Sequence, residues 1–476
     1  MSINHRRISL TIASSLFLEV INKISPLLIL HHAQKTLGLP DFGWAQIQLA
    51  LFETLQPLVT FGFASYALAE TSSKGDETPH LQNLFSHIFV AKIINAAFVS
   101  ILYLASLHAR GLAIDATSLG ILAIVMLAGV FDFYWIAIVK HKIANISLIS
   151  GLFRIISLIA ILRFVKDPGD KALFVGLSLI PNALISIGTG LISFRFLKFS
   201  RLAGPRIKEI FYKSSPFALL VLVITILERA DIFAVERSYG LAVAGAYAGP
   251  AKVVQSLSMV ISSLSLPFFA EILKVNDRDT LAKHVSLSLW CLSALIAPIV
   301  FGMPFIEADV IGILFTNVSS SVDHIVSLLS VGMIGTIFVS VFGLQLLMAK
   351  GRPWPIIKAC LVYVVLVPMA IWMGRDQFGL QAVALSVIVG KILVGLACLY
   401  AAKAYLPKIP WLTFFKPFMA GACMGLVLWL LHLDGLILNI AVGAVAYAIA
   451  MLVSNFREFK EIAKHPRLKR YFERWL

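Results

Sequence analysis

The stretch L-E-R-A-D-I-F-A-V-E-R-S, from Leu227 to Ser238, places charged side chains directly after the apolar run P-F-A-L-L-V-L-V-I-T-I. On a helix that turns about 100° per residue, Arg229 and Glu236 point in almost the same direction, and Glu228 and Asp231 lie on the same broad side. A face with charges of both signs is not stable against lipid. The pattern therefore predicts a polar face directed at a cavity or at another helix.

Further ionisable residues interrupt other apolar runs. Glu19 and Lys23 stand one helical turn apart and can pair, and Glu228, Arg229 and Asp231 can also neutralise one another. Three deep basic residues have no acidic neighbour on their own helix: Arg154, Lys252 and Lys391. Desolvated Arg and Lys side chains bind phosphate oxygens strongly. The excess of deep basic residues favours a cavity for an anionic substrate, with internal pairing as the alternative.

The composition shows where these charges must lie. The chain has 476 residues, of which 59% are hydrophobic and 14% are charged, and its mean hydropathy is +0.89. A soluble protein carries about 25% charged residues. The apolar runs are about twenty residues long, which is the length of a membrane-spanning helix rather than of a barrel strand. We therefore predict an all-α polytopic membrane protein.

We predict fourteen transmembrane helices from these runs, at roughly 8–30, 44–68, 84–107, 114–138, 143–163, 172–195, 214–238, 243–269, 284–305, 324–349, 354–374, 379–402, 412–432 and 435–454. With a cytoplasmic N-terminus, about 25 basic residues fall in cytoplasmic segments and about 7 in outer loops. This asymmetry predicts that both termini are cytoplasmic. The net charge of +15 then reflects orientation and attraction to anionic membrane lipids, and nucleic acid is not expected as a partner.

An internal repeat predicts how the spans are organised. The segments G-L-P-D-F-G (Gly38–Gly43) and G-L-A-V-A-G (Gly240–Gly245) share the pattern G-L-x-x-x-G at an offset of about 202 residues. Glu70 and Glu271 end the following spans at nearly matching positions. Because the offset equals six spans, the two halves share one orientation, as in transporters with parallel repeats. We expect two six-helix bundles related by a pseudo-two-fold axis and two additional helices.

The corresponding domain boundaries follow from the span positions. Residues 1–198 form the N-terminal six-helix bundle, and residues 214–405 form the second. Residues 199–213 are predicted to be a basic cytoplasmic linker, either lying on the inner membrane surface or exposed to solvent. Residues 406–476 contain helices thirteen and fourteen and a basic cytoplasmic tail.

The sequence carries no signature of an enzyme or of a resident cofactor. There is no phosphate-binding P-loop, and the histidines lack metal-ligand spacing. The four cysteines fall in predicted helices, where we expect small apolar residues rather than metal ligands or disulfides. We therefore expect neither an enzyme nor a metal site.

The pattern L-G-L-P-D-F-G-W-A…F-G-F-A-S-Y-A-L-A, from Leu37 to Ala69, resembles the first hairpin of polysaccharide-export flippases. The stretch S-P-F-A-L-L…E-R-A-D-I-F…G-L-A-V-A-G-A-Y, from Ser215 to Tyr247, is similar to the second-half counterpart. This family belongs to the multidrug/oligosaccharidyl-lipid/polysaccharide (MOP) exporter superfamily. The fourteen spans, the two halves and the basic linker agree with membership of this superfamily. The resemblance therefore covers nearly the whole chain, and it implies a MATE-like arrangement of the helices.

The resemblance implies a flippase that moves undecaprenyl-pyrophosphate-linked oligosaccharide, such as an O-antigen unit, from the inner to the outer leaflet of the bacterial inner membrane. A cationic cavity would receive the pyrophosphate by alternating access. The expected substrate-binding residues, chosen from the cavity argument, are Lys23, Arg154, Arg229, Lys252 and Lys391. Asp231 matches a family position, and Glu19, Glu228 and Asp231 are candidates for coupling to H⁺ or Na⁺ or for pairing. A polysaccharide polymerase and assembly proteins are the expected partners.

Three other functions remain open. A drug antiporter of the same superfamily would use a buried acid in the first bundle, but Lys23 stands one turn from Glu19 and would keep it ionised. A lipid II flippase is a closer alternative. A membrane glycosyl-polymerase would also handle such lipids, but it needs a sizeable outer loop that this chain lacks.

Overall fold

The computed structural model describes residues 5–74, 78–109, 116–140, 143–196, 198–273, 275, 277–315, 324–406 and 411–454, without the side chains of residues 5–27 and of a few other helical positions. Every regular element in these residues is helical. The α-helices are α1 (His5–Thr60), α2 (Phe63–Lys74), α3 (Thr78–Ala109), α4 (Ala116–Val130), α5 (Tyr134–Val139), α6 (Ile143–Phe164), α7 (Lys171–Phe196), α8 (Gly204–Tyr239), α9 (Leu241–Ile272), α10 (Arg278–Leu314), α11 (Ile325–Val331), α12 (Met333–Phe338), α13 (Trp354–Phe378), α14 (Leu380–Ala402), α15 (Trp411–Leu431) and α16 (Leu436–Ser454).

The helices agree with the predicted spans. Within the described residues, nine helices are long and apolar enough to cross a membrane, and the bent pair Leu28–Thr60 and Phe63–Thr71 raises the number to ten if it is one span. Each of the fourteen predicted segments falls largely in helix. Helices suit this role because they satisfy their own backbone hydrogen bonds in lipid. The prediction of an all-α polytopic fold with about fourteen helices is confirmed.

Several spans are broken, which hydropathy alone does not predict. The fourth predicted span divides into α4 and α5 around residues 131–133, and the tenth divides into α11, α12 and the π-helix Val339–Leu347. The second bends where Phe61 and Gly62 adopt positive φ angles of 45° and 65°. Breaks inside a membrane are tolerated where other groups satisfy the freed backbone atoms.

Helix α8 begins at Gly204, ten residues before the start predicted for the seventh span. Pro205 occupies the first turn, where a missing N–H costs nothing. Glu209 then pairs with Arg206 and Lys213 at N···O distances of 2.6 Å each. These pairs at helical spacing favour a helix over much of the segment predicted as a basic linker.

The two G-L-x-x-x-G segments contact each other reciprocally. Gly38 and Gly240 break the helical path with φ angles of 75° and 86°, a region that glycine adopts easily. A Cβ on Gly43 would lie 1.9 Å from the Leu241 carbonyl oxygen, and a Cβ on Gly245 would lie 2.1 Å from the Leu39 oxygen. Each motif thus presents its second glycine to the backbone of the other, which is the pattern of a two-fold related pair.

The chain forms two compact units. The first contains Met1–Gly249 with Leu314–Asn317, and the second contains Pro250–Ile313 with Val318–Leu476. In the first unit, α1 packs against α3, α4, α6, α7 and α8. In the second, α14 packs against α11, α12 and α13, and α15 packs against α16. The boundaries predicted at residues 198, 214 and 405 stay predictions.

Candidate functional site

In the first unit, Arg229 of α8 forms an ion pair with Glu53 of α1. The Arg229 side chain is 16% exposed and the Glu53 side chain is 35% exposed. The polar face predicted on α8 therefore meets another helix, and a carboxylate from that helix neutralises its arginine. Glu53 was missed by the sequence reasoning, although it is the only charged residue from Phe42 to Ala69. A lone acid in a span is a signal that could have revealed it.

Asp231, an acid on the same polar face of α8, contacts α9. Its Oδ2 accepts a 2.7 Å hydrogen bond from the Tyr247 hydroxyl, and its Oδ1 accepts a 2.8 Å bond from the Ile232 N–H. The Tyr247 side chain is buried, so this contact stabilises a carboxylate at a partly buried position. Glu228, the neighbour of Arg229, is exposed. Tyr247 ends the stretch G-L-A-V-A-G-A-Y, which carries part of the resemblance.

Arg154 lies on α6, which packs against α1 and α7. Its side chain is partly buried, and its Nε has no hydrogen-bond partner among the residues that the structure describes. A guanidinium group presents five N–H donors in a fixed fork. An unpaired, buried donor of this kind is costly, and it is a good position for an anionic ligand.

The second unit contains Lys252 and Lys391. Lys252 is half-buried on α9, and its carbonyl accepts a 2.8 Å hydrogen bond from Ser256 Oγ. Lys391 of α14 lies beside the junction of α11 and α12. A Cβ added to Gly332 at this junction would lie 3.6 Å from the Cδ of Lys391. Its ammonium group forms no hydrogen bond or ion pair within the described part of the chain. Glu19 and Lys23 lie outside the residues whose side chains are described.

The break between α4 and α5 is held by two polar side chains. Thr189 Oγ donates to the Phe131 carbonyl at 3.2 Å and accepts from the Phe133 N–H at 3.3 Å. The buried Lys92 ammonium donates to the Asp132 carbonyl and lies 4.6 Å from the centre of the Phe133 ring. Lys92 is a deep charge with a structural contact, because it satisfies a carbonyl that the break leaves without a helical partner.

Lys391 is the counterpart of Thr189 in the second half. The two residues differ in number by the offset of the repeated motif, about 202 positions, and each lies beside a broken helix. This correspondence extends the repeat beyond the glycine motifs. It gives the stem of Lys391 a packing role in addition to the binding role that we predict for its ammonium group.

An ion-pair network lies at the start of α8. Arg206 contacts Glu70 of α2 at 2.9 Å and Glu209 at 2.6 Å. Burial lowers the pKa of Arg206, but the hydrogen bonds to Glu209 and Glu70 outweigh this and raise it. Lys213 and Arg206 lower the pKa of Glu209. This network ties α8 to α2, and no residue of it was predicted as a substrate ligand.

One groove in the second unit is lined by residues without charge. It lies between α15 and α16 and is lined only by apolar or weakly polar side chains, including Cys423, Val427 and Val445. Cys423 is exposed there, whereas Cys360 and Cys398 are buried as expected for small apolar residues. The groove is therefore distinct from the deep basic residues. Among the described residues, no three His, Cys, Asp or Glu side chains are grouped so that they could hold a metal ion.

Comparison with known proteins identifies the family. The profile of the family described as "Polysaccharide biosynthesis protein" matches residues 11–273, more than half of the chain. The chain belongs to this family. The resemblance expected from the two hairpin sequences, to the polysaccharide-export branch of the MOP superfamily, is therefore confirmed. Among curated protein sequences, none matches this polysaccharide biosynthesis protein.

Solved structures show the same fold. The lipid II flippase MurJ, in an inward closed conformation, is similar at a TM-score of 0.68 and 18% identity, covering 93% of this chain and 98% of its own. A MATE multidrug resistance transporter of the MOP superfamily, facing inward, has a TM-score of 0.59 and 13% identity, covering 80% and 94%. A mutant of the Vibrio cholerae MATE transporter VcmN has a TM-score of 0.57 and 16% identity, covering 86% and 98%. This polysaccharide biosynthesis protein is thus a multi-pass membrane protein with the MurJ and MATE fold.

Proposed function

We propose that this chain is a flippase for undecaprenyl-pyrophosphate-linked oligosaccharide in the bacterial inner membrane, with both termini in the cytoplasm. The repeat unit, an O-antigen unit or a similar one, moves from the inner to the outer leaflet by alternating access. Membership of the polysaccharide biosynthesis family and the flippase and transporter folds support a transport function. A polysaccharide polymerase and assembly proteins are the proposed partners of the flipped product.

The buried Nε of Arg154, which has no hydrogen-bond partner among the residues that the structure describes, carries this proposal. An Arg near the middle of a span costs about 2.5–3.5 kcal/mol even on lenient insertion scales, and no described residue compensates this charge through its Nε. A pyrophosphate group would do so, because its oxygens match the guanidinium fork in geometry and in charge. We infer that Arg154 contacts the head group during transport.

Arg229 is the second arginine that we place on the substrate path. Glu53 shields its charge in the described state, and Lys252 and Lys391 are half-buried in the second unit. We keep these residues, together with Lys23, as substrate ligands. Coupling to H⁺ or Na⁺ would use the acids Glu19, Glu228 and Asp231.

Flipping in liposomes tests the function directly. Purified protein is reconstituted with lipid-linked oligosaccharide from the host, and the fraction that an external glycosidase cleaves is followed over time. We expect protein-dependent exposure of the oligosaccharide, and we expect Arg154→Ala to slow it by about tenfold or more, as losing one charge-assisted contact implies.

Arg375→Ala provides the matched control. Arg375 has a side chain that is 40% exposed, and its Nε lies 3.3 Å from the carboxylate of its own neighbour, Asp376, so its loss should leave flipping unchanged. Flipping by Arg154→Ala at the rate of Arg375→Ala would remove Arg154 from the path. A folded, reconstituted preparation that shows no flipping at all would refute the flippase proposal.

The alternatives make different predictions in the same liposomes. A drug antiporter, as the similarity to MATE transporters suggests, would export a cationic dye when an H⁺ or Na⁺ gradient imposed in the opposite direction drives it. A lipid II flippase, as the similarity to MurJ suggests, would expose lipid II in preference to the oligosaccharide lipid. A polymerase would lengthen the glycan chain rather than move it.

A further inference from the structure

The two side chains of the ion pair between Glu53 and Arg229 differ in exposure. The Glu53 side chain is 35% exposed, whereas the arginine side chain is only 16% exposed. The acid therefore has room to turn away while the cation remains in place. Because exposed ion pairs are weak, a multiply charged anion can compete with a single carboxylate for the guanidinium.

A second ion pair of α8 has the opposite arrangement. Glu70 is only 8% exposed and its partner Arg206 is 22% exposed, so this carboxylate has little room to turn away from the arginine. Arg206 also contacts Glu209. The Glu70 pair is accordingly a fixed connection between α2 and α8, and the contrast identifies Glu53 as the exchangeable acid.

We propose that Glu53 is a displaceable counter-ion of Arg229, which holds the guanidinium until the anionic head group takes its place. This proposal rests on the proposed function, because it assumes that Arg229 meets that head group. The head group displaces the carboxylate of Glu53 from Arg229, and the ion pair forms again when the head group leaves. Binding of the head group and the ion pair with Glu53 are then mutually exclusive at Arg229.

Other ionisable groups on the helices packed against α1 have different contacts. Lys92 of α3 donates to the Asp132 carbonyl, and Asp231 of α8 accepts from Tyr247. Helix α4 has no ionisable side chain, and α7 with the short turn before it has its charged residues only at the ends. The remaining charges in the middle turns of these helices are Arg154 on α6 and Glu228 on α8. We therefore assign the release of Glu53 from Arg229 to the negative charge of the arriving head group.

The test measures binding of inorganic pyrophosphate to the purified full-length protein at about pH 7.5, well above the ordinary pKa of a carboxylic acid. Glu53→Gln should bind roughly three- to tenfold more tightly than wild type, because the competing charge is gone.

Three further variants complete the design. Glu53→Asp keeps the charge and should bind pyrophosphate as wild type does, whereas a purely structural role would show the same change of affinity in both substitutions. Glu70→Gln removes the acid of α2 that pairs with Arg206 and should leave the affinity of wild type unchanged. Arg229→Gln should abolish the tighter binding of Glu53→Gln when the two substitutions are combined. Thermal unfolding verifies that each variant is folded.

The outcomes separate this inference from the proposed function. If Arg229→Gln weakens binding but Glu53→Gln matches wild type, displacement is wrong and the role of Arg229 stands. If Arg229→Gln binds as well as wild type, Arg229 is not a head-group ligand and both fall. If Glu53→Gln binds pyrophosphate and wild type does not, displacement is supported. If neither wild type nor Glu53→Gln binds pyrophosphate, the two proposals are overturned together.

Discussion

The reciprocal contact of the two glycine motifs gives a prediction whose size follows from the structure. A Cβ on Gly43 would lie 1.9 Å from the Leu241 oxygen and 2.8 Å from the Gly245 nitrogen. These neighbours are backbone atoms, which cannot rotate away as a side chain can. Since ordinary contacts begin at 3.4 Å, Gly43→Ala requires the two segments to separate by about 1.5 Å, and overpacking of this kind costs about 1–3 kcal/mol.

Gly188→Ala is the control for this substitution. Gly188 lies inside α7, and no atom of a neighbouring element lies within 4 Å of the position that a Cβ would take there. Removing the backbone freedom of a helical glycine stabilises a protein by about 0.5–1 kcal/mol. The two alanine variants should therefore differ by about 1.5–4 kcal/mol, with Gly43→Ala the less stable.

The assay is thermal unfolding of the purified protein in one detergent, scanned at one rate so that the midpoints of the variants can be ranked. Gly43→Ala and Gly245→Ala should each lower the midpoint below wild type, and Gly188→Ala should not. The double substitution at Gly43 and Gly245 should cost less than the sum of the single changes, because a single separation accommodates both methyl groups. If Gly43→Ala is as stable as Gly188→Ala, the close contact does not exist and the reasoning fails.

Three further predictions concern single contacts. Asn95→Leu should lower the free energy of unfolding by about 1–3 kcal/mol, because the Asn95 amide donates to the Leu58 and Val59 carbonyls near the end of α1; a thermal midpoint equal to wild type would contradict this. Glu307 accepts from two backbone N–H groups within the first turn of α11, so the midpoints should rank wild type, Glu307→Gln and Glu307→Ala in falling order. Because the pKa of Glu209 is lowered, its stabilising effect is present above the pKa of the unfolded chain and is lost as the pH falls through the folded pKa. Glu209→Gln should therefore be slightly less stable than wild type near pH 7 and equal to it in strong acid, and a gap that persists in acid or in high salt would refute the ion pair.

Helix positions could be predicted from the sequence because the membrane imposes a local rule. Each crossing needs about twenty apolar residues and a helix that satisfies its own backbone, so a window of sequence contains the information. The G-L-x-x-x-G repeat could be found for a similar reason. The turns at Gly38 and Gly240 need positive φ angles, and this requirement shows in the residue type itself.

The candidate site was predictable only in part. Arg154 and Arg229 could be selected because a basic residue in an apolar run is conspicuous. Their partners could not, because ion pairs join distant parts of the chain. Arg206 meets Glu70 over a separation of 136 residues, and nothing local in either sequence indicates the pairing. Breaks such as that between α4 and α5 are also invisible to hydropathy, since Thr189 and Lys92 on other helices satisfy the freed backbone groups.

The sequence by itself determined that this chain crosses the membrane many times, that its helices repeat, and that basic residues lie deep within it. Burial of apolar side chains and the cost of charge in lipid act residue by residue, so these features are written in composition and spacing. Tertiary structure decided which charges are neutralised and which remain available: Arg229 is held by Glu53, whereas the Nε of Arg154 has no partner among the described residues. That difference depends on the packing of helices far apart in the chain, which no short stretch of sequence specifies.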